Sequence, residues 1–127
     1  MPNVSLQIAI IDDEELIRRA LTRLLGAAGI NSQGYASGQE FLATWRHNPP
    51  DCVVMDLQMP GLSGFDVLQC LKNLGADMPI IIITAHDEPA MKQRCLQAGA
   101  STYLRKPLDD EVLINTIESL CGSPPTP

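Results

Sequence analysis

Five side chains suited to binding a metal ion or a phosphate group each stand just past the end of a short stretch that the sequence pattern predicts to be a strand. They are Asp12 and Asp13, Asp56, Thr84 and Lys106. Carboxylate oxygens are the ligands that hard divalent cations prefer. A hydroxyl and a lysine ammonium can donate hydrogen bonds to a phosphoryl group. Brought together, these residue types would supply the parts of a phosphoryl-transfer site.

The central candidate is Asp56, in the stretch DCVVMDLQMPGLSG at residues 51–64. An apolar run ends at this aspartate, and a proline and two glycines follow it. Taken alone, the stretch fits a capped strand end as well as a reactive carboxylate, because aspartate is common where loops begin. The acidic group at residues 12–15 is also ambiguous, since acids stabilise the first turn of a helix. The neighbouring elements must decide both cases.

The hydrophobic pattern predicts five strands, each followed by a helix. The strands are expected at residues 5–11, 31–36, 52–55, 80–83 and 102–105. The four isoleucines at 80–83 are typical of a strand that is buried on both faces, whereas the Gly34 region indicates an edge strand. Five alternations of strand and helix predict an α/β fold: an open parallel sheet with helices on both faces.

The carboxyl ends of parallel strands share one edge of the sheet, where such folds bind ligands. All five candidate side chains stand at those ends, so we expect them to meet. Three carboxylates in one crevice repel one another by about 4 kcal/mol per close pair at an effective dielectric near 20. The sequence therefore predicts a bound cation, and an oxygen-only site with room for water favours Mg²⁺. Asp56 could then act as the nucleophile towards phosphorus.

Four motifs in this order and spacing make the chain similar to a known family. They are IIDDEE, VVMDLQMPGLSG, IIIITAHD and YLRKP. The sequence resembles the receiver domain of bacterial response regulators over nearly its whole length. The resemblance implies a flavodoxin-like strand order 2-1-3-4-5 and a receiver domain over residues 1–122, followed by a Pro-rich tail or linker start at 123–127. It also implies a cytoplasmic signalling domain that catalyses only its own phosphoryl transfer and dephosphorylation.

The resemblance further implies a role for each site residue. A histidine kinase, a phosphotransfer protein or a small phosphodonor would phosphorylate Asp56. Mg²⁺, with Mn²⁺ as an alternative, would be held directly by Asp13, Asp56 and the backbone carbonyl of Gln58, and through water by Asp12. The phosphoryl oxygens would be contacted by Thr84, Lys106 and the backbone amides of Gln58 and Ala85.

Two further pairs are assigned by the same resemblance. Thr84 and Tyr103 would form the switch, which moves the face built by residues 86–121 and so controls an output domain or partner protein. Gln58 and His86 would set the lifetime of the phosphoryl group by gating the attacking water. Local packing of Tyr103 and simple solvation of His86 stay open as alternatives.

Composition excludes several other functions. The formal net charge is −6, without a basic run, so we do not expect this chain to bind nucleic acid. No apolar run is long enough for a membrane span. The four cysteines form no C-x-x-C pair and are interpreted as reduced core thiols.

The chain differs from the DNA-binding winged-helix regulators at Ser101, Thr102 and Leu108. The salt-bridged dimer of those regulators is therefore not expected, while another phosphorylation-dependent homodimer stays open.

The main rival is an aspartyl-phosphate hydrolase of the haloacid dehalogenase type. That family carries a second aspartate two residues after its nucleophile, where this chain has Gln58. The chain is also too short for a substrate-selecting cap. A flavodoxin-like flavin binder would share the fold, but three acids in the crevice would repel the flavin phosphate.

Overall fold

The computed structural model describes residues 6–86 and 88–121 and contains one parallel sheet. Its strands are β1 (Gln7–Ile11), β2 (Asn31–Tyr35), β3 (Cys52–Asp56), β4 (Ile80–Thr84) and β5 (Thr102–Arg105). Its helices are α1 (Glu15–Ala27), α2 (Gly38–Thr44), α3 (Gly64–Asn73), α4 (Pro89–Gln97) and α5 (Asp110–Leu120). The strand order β2-β1-β3-β4-β5 confirms the predicted topology. The expected tail at 123–127 lies outside the described residues.

Alternate residues of the central strands face two separate hydrophobic layers, because successive side chains of a strand point to opposite faces. Val53 and Met55 pack in the layer that contains Phe41 of α2 and Leu68 of α3. Cys52 and Val54 face the other way, towards Leu25 of α1 and Leu113 of α5. Helices therefore cover both faces, and every residue of β3 and β4 is buried.

The two outer strands are more exposed than the centre. β2 pairs only with β1 along its length and is mostly solvent-exposed, which confirms the predicted edge strand. Among the cysteines, Cys52 and Cys95 are buried, whereas Cys70 and Cys121 are only half-buried. The prediction of core thiols is therefore right for two of the four.

The helix ends explain several element boundaries. The sequence Ser37-Gly-Gln-Glu40 predicts a capping box at the start of α2, and half of it forms: the Ser37 side chain accepts a hydrogen bond from the backbone N–H of Glu40, whereas the Glu40 side chain accepts from the N–H of Ala36. At α3, Ser63 and Asp66 form a full capping box that the sequence analysis did not anticipate. Helix α4 buries Cys95 alone among its residues. Within the described ranges, no helix is long and apolar enough to cross a membrane.

Candidate phosphoacceptor site

The strand register brings the predicted site residues to one edge of the sheet. Ile11 lies beside Met55, so Asp12 and Asp56 follow at neighbouring strand ends. Thr84 pairs with Arg105, and the backbone N–H of Lys106 then donates to the carbonyl of Thr84 at 2.8 Å. Similar bonds extend the ladder past the other strand ends: Asp12 N–H donates to Tyr35 at 3.1 Å and Leu57 N–H to Ile83 at 2.8 Å. The backbone hydrogen bonds of the sheet therefore fix the positions of these site residues.

Asp12, Asp13 and Asp56 form a single acidic cluster. One carboxylate oxygen from each lies within 4.8 Å of the other two. Asp12 and Asp56 are almost fully buried, with exposures of 4% and 7%, whereas Asp13 is exposed. Two inner carboxylates and an outer one open to water form an oxygen donor set that fits Mg²⁺, which keeps part of its hydration.

Lys106 supplies the positive charge on the inner side of the acidic cluster. Its Nζ lies 3.6 Å from Asp12 Oδ2 and 3.7 Å from Asp56 Oδ1. The ammonium thus sits between the two buried carboxylates and touches neither at a short hydrogen-bond distance. One lysine cannot neutralise three carboxylates, so the site keeps a net negative charge that a divalent cation would offset.

Burial and the excess of negative charge at the site both affect the pKa of Asp56. Burial and, next, repulsion from Asp12 raise its pKa from 3.8 to about 6, against the lowering effects of Lys106 and of the Gln58 backbone N–H that it accepts. Exposed Asp13 adds a smaller increase. Asp56 is therefore held in a position that disfavours its own ionisation, which is typical of functional carboxylates.

Asp12 is held by its own loop as well as by Lys106. Its Oδ1 accepts a hydrogen bond from the backbone N–H of Glu14 at 2.9 Å, and the Arg18 guanidinium donates to its carbonyl at 2.7 Å. Glu14 is the N-cap of α1, but its side chain makes no capping bond. The acidic group at 12–15 therefore divides: Asp12 and Asp13 face the site, while Glu15 lies in the first turn of the helix.

Gly64 lets helix α3 begin directly behind Asp56. Its backbone N–H donates to Leu57 at 2.8 Å. A Cβ at this position would lie 2.7 Å from the carbonyl oxygen of Asp56 and 2.9 Å from the Cα of Leu57. Since both neighbours are backbone atoms, they cannot move aside easily. The glycine is thus required by the close approach of the helix to the strand end.

Thr84 and Tyr103 meet at one acceptor, the backbone carbonyl of His86. The buried Thr84 hydroxyl donates to this carbonyl at 3.1 Å and accepts from the His86 N–H at 3.0 Å. The Tyr103 hydroxyl donates to the same carbonyl at 3.5 Å, and the ring is turned inward with 8% exposure. The side chains of Gln58 and His86 are exposed, as is Ala85.

The sequence indicates the acidic cluster, Lys106, Thr84 and Tyr103 as parts of the site, but it does not indicate the groups that hold them in place. The Arg18 bond to the Asp12 backbone, the close approach at Gly64 and the shared His86 carbonyl carry no motif of their own. Of these three features, only Gly64 has a sequence signal, because the pair Ser63-Gly64 stands where a helix begins.

Comparisons with known proteins show the family of this chain. The family described as response regulator receiver domain matches residues 8–118, and the chain belongs to it. FixJ of Azorhizobium caulinodans, a transcriptional regulatory protein, is 32% identical over 93% of this chain and 56% of its own length. The response regulator MprA of Mycobacterium sp. (strain KMS) is 36% identical over 90% of this chain and 50% of its own. The chain thus spans about half the length of these curated relatives.

Solved structures show the same fold. The structure described as FixJ-N superimposes with a TM-score of 0.87 at 31% identity, with full coverage of both chains. The Vibrio cholerae chemotaxis protein CheY4 gives a TM-score of 0.86 at 27% identity over 92% of this chain and 99% of its own. The family assignment supports the signalling interpretation and does not support the haloacid dehalogenase alternative.

Proposed function

We propose that this receiver domain accepts a phosphoryl group on Asp56 from a histidine kinase or phosphotransfer protein. The observation that carries the proposal is the position of Asp56: buried, within 4.8 Å of two further carboxylates and 3.7 Å from the Lys106 ammonium. A buried carboxylate in this setting combines a nucleophile with the charges that phosphoryl transfer requires.

In the proposed reaction an oxygen of Asp56 attacks phosphorus while the bond from phosphorus to the donor nitrogen or oxygen breaks. The product is an acyl phosphate, and the donor leaves with the electron pair of the broken bond. Asp12, Asp13, Asp56 and the Gln58 carbonyl would hold Mg²⁺ or Mn²⁺, and the bound ion would supply positive charge to the phosphoryl oxygens. Lys106 lies beside Asp56 Oδ1 and would contact those oxygens from the inner side, while Thr84 and the Ala85 amide would contact them from the end of β4.

Incubation with Mg²⁺ and acetyl phosphate tests this function. The intact mass is expected to rise by one phosphoryl group, and peptide mapping after borohydride reduction is expected to place it on Asp56. Asp56→Asn is expected to gain nothing, whereas Asp77→Asn, an exposed loop aspartate, serves as the matched control. Equal labelling of the Asp56→Asn variant would refute the assignment, and turnover of many phosphate esters would indicate a hydrolase.

The shared His86 carbonyl suggests how phosphorylation reaches the face of residues 86–121. Thr84 and Tyr103 now donate to the same oxygen, Thr84 at 3.1 Å and Tyr103 at 3.5 Å. A phosphoryl group on Asp56 would draw the Thr84 hydroxyl away and leave the carbonyl to Tyr103. Charge-assisted hydrogen bonds from Thr84 and Lys106 could supply roughly 3 to 6 kcal/mol. About 5.5 kcal/mol moves a two-state equilibrium from 1:99 to 99:1.

The Thr84→Ala variant is expected to accept the phosphoryl group but to lose the switch. Hydrogen exchange of residues 88–121 should change on phosphorylation of the wild-type chain and of Thr84→Ser, which keeps the hydroxyl. The same change should fall by more than half in Thr84→Ala. An unchanged exchange response in Thr84→Ala would show that the hydroxyl does not carry the signal.

Gln58 and His86 are proposed to set how long the phosphoryl group survives. Both side chains are exposed and follow Asp56 and Thr84 by two residues, so they stand where water would approach the acyl phosphate. Replacing both with alanine is expected to change the half-life of phosphorylated Asp56 at least threefold, as measured by loss of the added mass with time. The exposed pair Gln93 and His47, changed in the same way, is the control. Equal half-lives for both double variants would contradict the proposal.

We also propose partners and a cellular location for the domain. The face of residues 86–121 would contact an output domain or partner protein, or a second copy of the chain in a phosphorylation-dependent homodimer. The domain itself is proposed to act in the cytoplasm and to catalyse only its own phosphoryl transfer and dephosphorylation.

A further inference from the structure

Two cysteine thiols meet at the end of the sheet opposite the acidic cluster. Cys52 is the first residue of β3, the strand that ends at Asp56, and Cys121 directly follows the last residue of α5. The Cys52 and Cys121 thiols lie close enough for each to affect the pKa of the other. The Cys121 Sγ also contacts the carbonyl of Asp51 at 3.8 Å. Two cysteines almost 70 positions apart in the sequence thus lie next to each other at this end of the sheet.

The two thiols differ in accessibility. Cys52 is fully buried in the hydrophobic layer between the sheet and helices α1 and α5, whereas Cys121 packs at the border of that layer and is half-buried. Burial raises the pKa of both thiols, and Cys52 is the more deeply buried of the two. Cys121 is therefore the thiol that a small molecule can reach and that ionises first, and Cys52 stands next to it.

We propose that Cys52 and Cys121 form an intramolecular disulfide when the domain meets a low-molecular-weight disulfide such as oxidised glutathione. The Cys121 thiolate attacks one glutathione sulfur, a mixed disulfide forms, and one glutathione thiolate leaves. The Cys52 sulfur, on losing its proton, then attacks Cys121, and the second glutathione leaves as a thiolate. Two protein thiols lose two electrons and two protons, and one glutathione disulfide becomes two thiols.

The bond would tie the end of α5 to the base of β3. Helix α5 belongs to the face of residues 86–121, so the link would restrict the part of that face that lies farthest from the acidic cluster. A cross-link between residues this far apart removes freedom mainly from the unfolded chain. The oxidised domain is expected to melt about 10 °C above the reduced one.

The experiment uses the whole chain at pH 8 with oxidised glutathione, followed by alkylation of the remaining thiols and mass spectrometry. Two alkylated cysteines instead of four, and a peptide that joins Cys52 to Cys121 and separates on reduction, are expected. The Cys121→Ser and Cys121→Ala variants should form no internal bond. Cys70→Ser, which removes another half-buried thiol, should behave as the wild type, and dithiothreitol should reverse the rise in melting temperature.

Three results would overturn the inference. The first is a stable glutathione adduct on Cys121 without the internal bond, which would mean that Cys52 cannot reach it. The second is an internal disulfide that involves Cys70 or Cys95. The third is a linked domain that melts at or below the temperature of the reduced one, which would show that the native arrangement does not accommodate the bond.

Discussion

Replacing Asp56 with asparagine is expected to raise the stability of the metal-free domain by about 2 kcal/mol at pH 7.5. Burial and the nearby Asp12 raise the Asp56 pKa from 3.8 to about 6, which corresponds to roughly 3 kcal/mol against folding once the group is ionised. Asparagine keeps the shape and removes the charge. Part of the gain is lost because Lys106 gives up one of its two carboxylate partners.

The pH dependence gives this prediction its sign. The folded state binds the Asp56 proton more tightly than the unfolded state does, so this group lowers stability as pH rises from about 4 to 6. Below about pH 4 both states are protonated, and the difference between the wild type and Asp56→Asn should vanish. Above about pH 6 the difference should be complete and constant.

Calorimetry in the presence of a chelator measures the effect, as an increase in melting temperature of about 8 °C at pH 7.5. Asp77→Asn makes the same charge change in an exposed loop and is expected to shift stability by less than 0.5 kcal/mol. Millimolar Mg²⁺ should narrow the gap, because the ion stabilises the wild-type acidic cluster more than a cluster with one carboxylate fewer. A destabilised Asp56→Asn, or a gain that persists at pH 4, would contradict the electrostatic explanation.

The fold could be predicted because its signals are local and repeated. The isoleucines of β4 and the helical stripe of α1 are strong patterns, and parallel sheets follow from alternating strands and helices. The edge position of β2 also followed from its composition, since Gly34 and its polar neighbours could not form a buried strand. Each of these elements can be recognised from the pattern of a few neighbouring residues.

The site could be predicted in its residues but not in its contacts. Asp56, Thr84 and Lys106 were located because each stands at the end of a predicted strand, and parallel strands place those ends together. The sequence could not show the distances between the Lys106 ammonium and the two buried carboxylates. Lys106 lies almost equally far from Asp12 and Asp56, and this depends on the register between β4 and β5 and on the path of the following loop.

Backbone acceptors are the other feature that sequence patterns cannot reveal. The His86 carbonyl accepts from Thr84 and Tyr103, residues almost 20 positions apart. Every residue type has a backbone carbonyl, so the identity of residue 86 does not indicate that its carbonyl accepts these two hydrogen bonds. The family resemblance supplied the pair Thr84 and Tyr103, and the structure supplies the atom through which one could affect the other.

Lys106→Gln is expected to slow phosphorylation by acetyl phosphate about 100-fold while leaving Mg²⁺ binding intact. A positive group placed where charge develops in the transition state typically contributes two to three orders of magnitude in rate. Glutamine keeps much of the length and can donate a hydrogen bond, but it carries no charge. The loss should therefore appear in the rate and not in the amount of folded protein.

The affinity for Mg²⁺ separates this role from a structural one. The Lys106 ammonium lies within 4 Å of two carboxylates of the acidic cluster and competes with any other cation there. Its removal should leave Mg²⁺ binding at pH 8 unchanged or tighter, as measured by isothermal titration calorimetry. Lys92→Gln, an exposed lysine on α4, makes the same charge change away from the cluster and should alter neither quantity.

Opposite movement of rate and affinity is the decisive outcome. If Lys106 acts on the transition state, the variant binds the metal at least as well and transfers the phosphoryl group far more slowly. If Lys106 serves only to hold the acidic cluster together, its loss should weaken Mg²⁺ binding and lower the melting temperature in proportion to the rate. A wild-type rate in Lys106→Gln would remove the lysine from the reaction and leave the bound cation as the source of charge neutralisation.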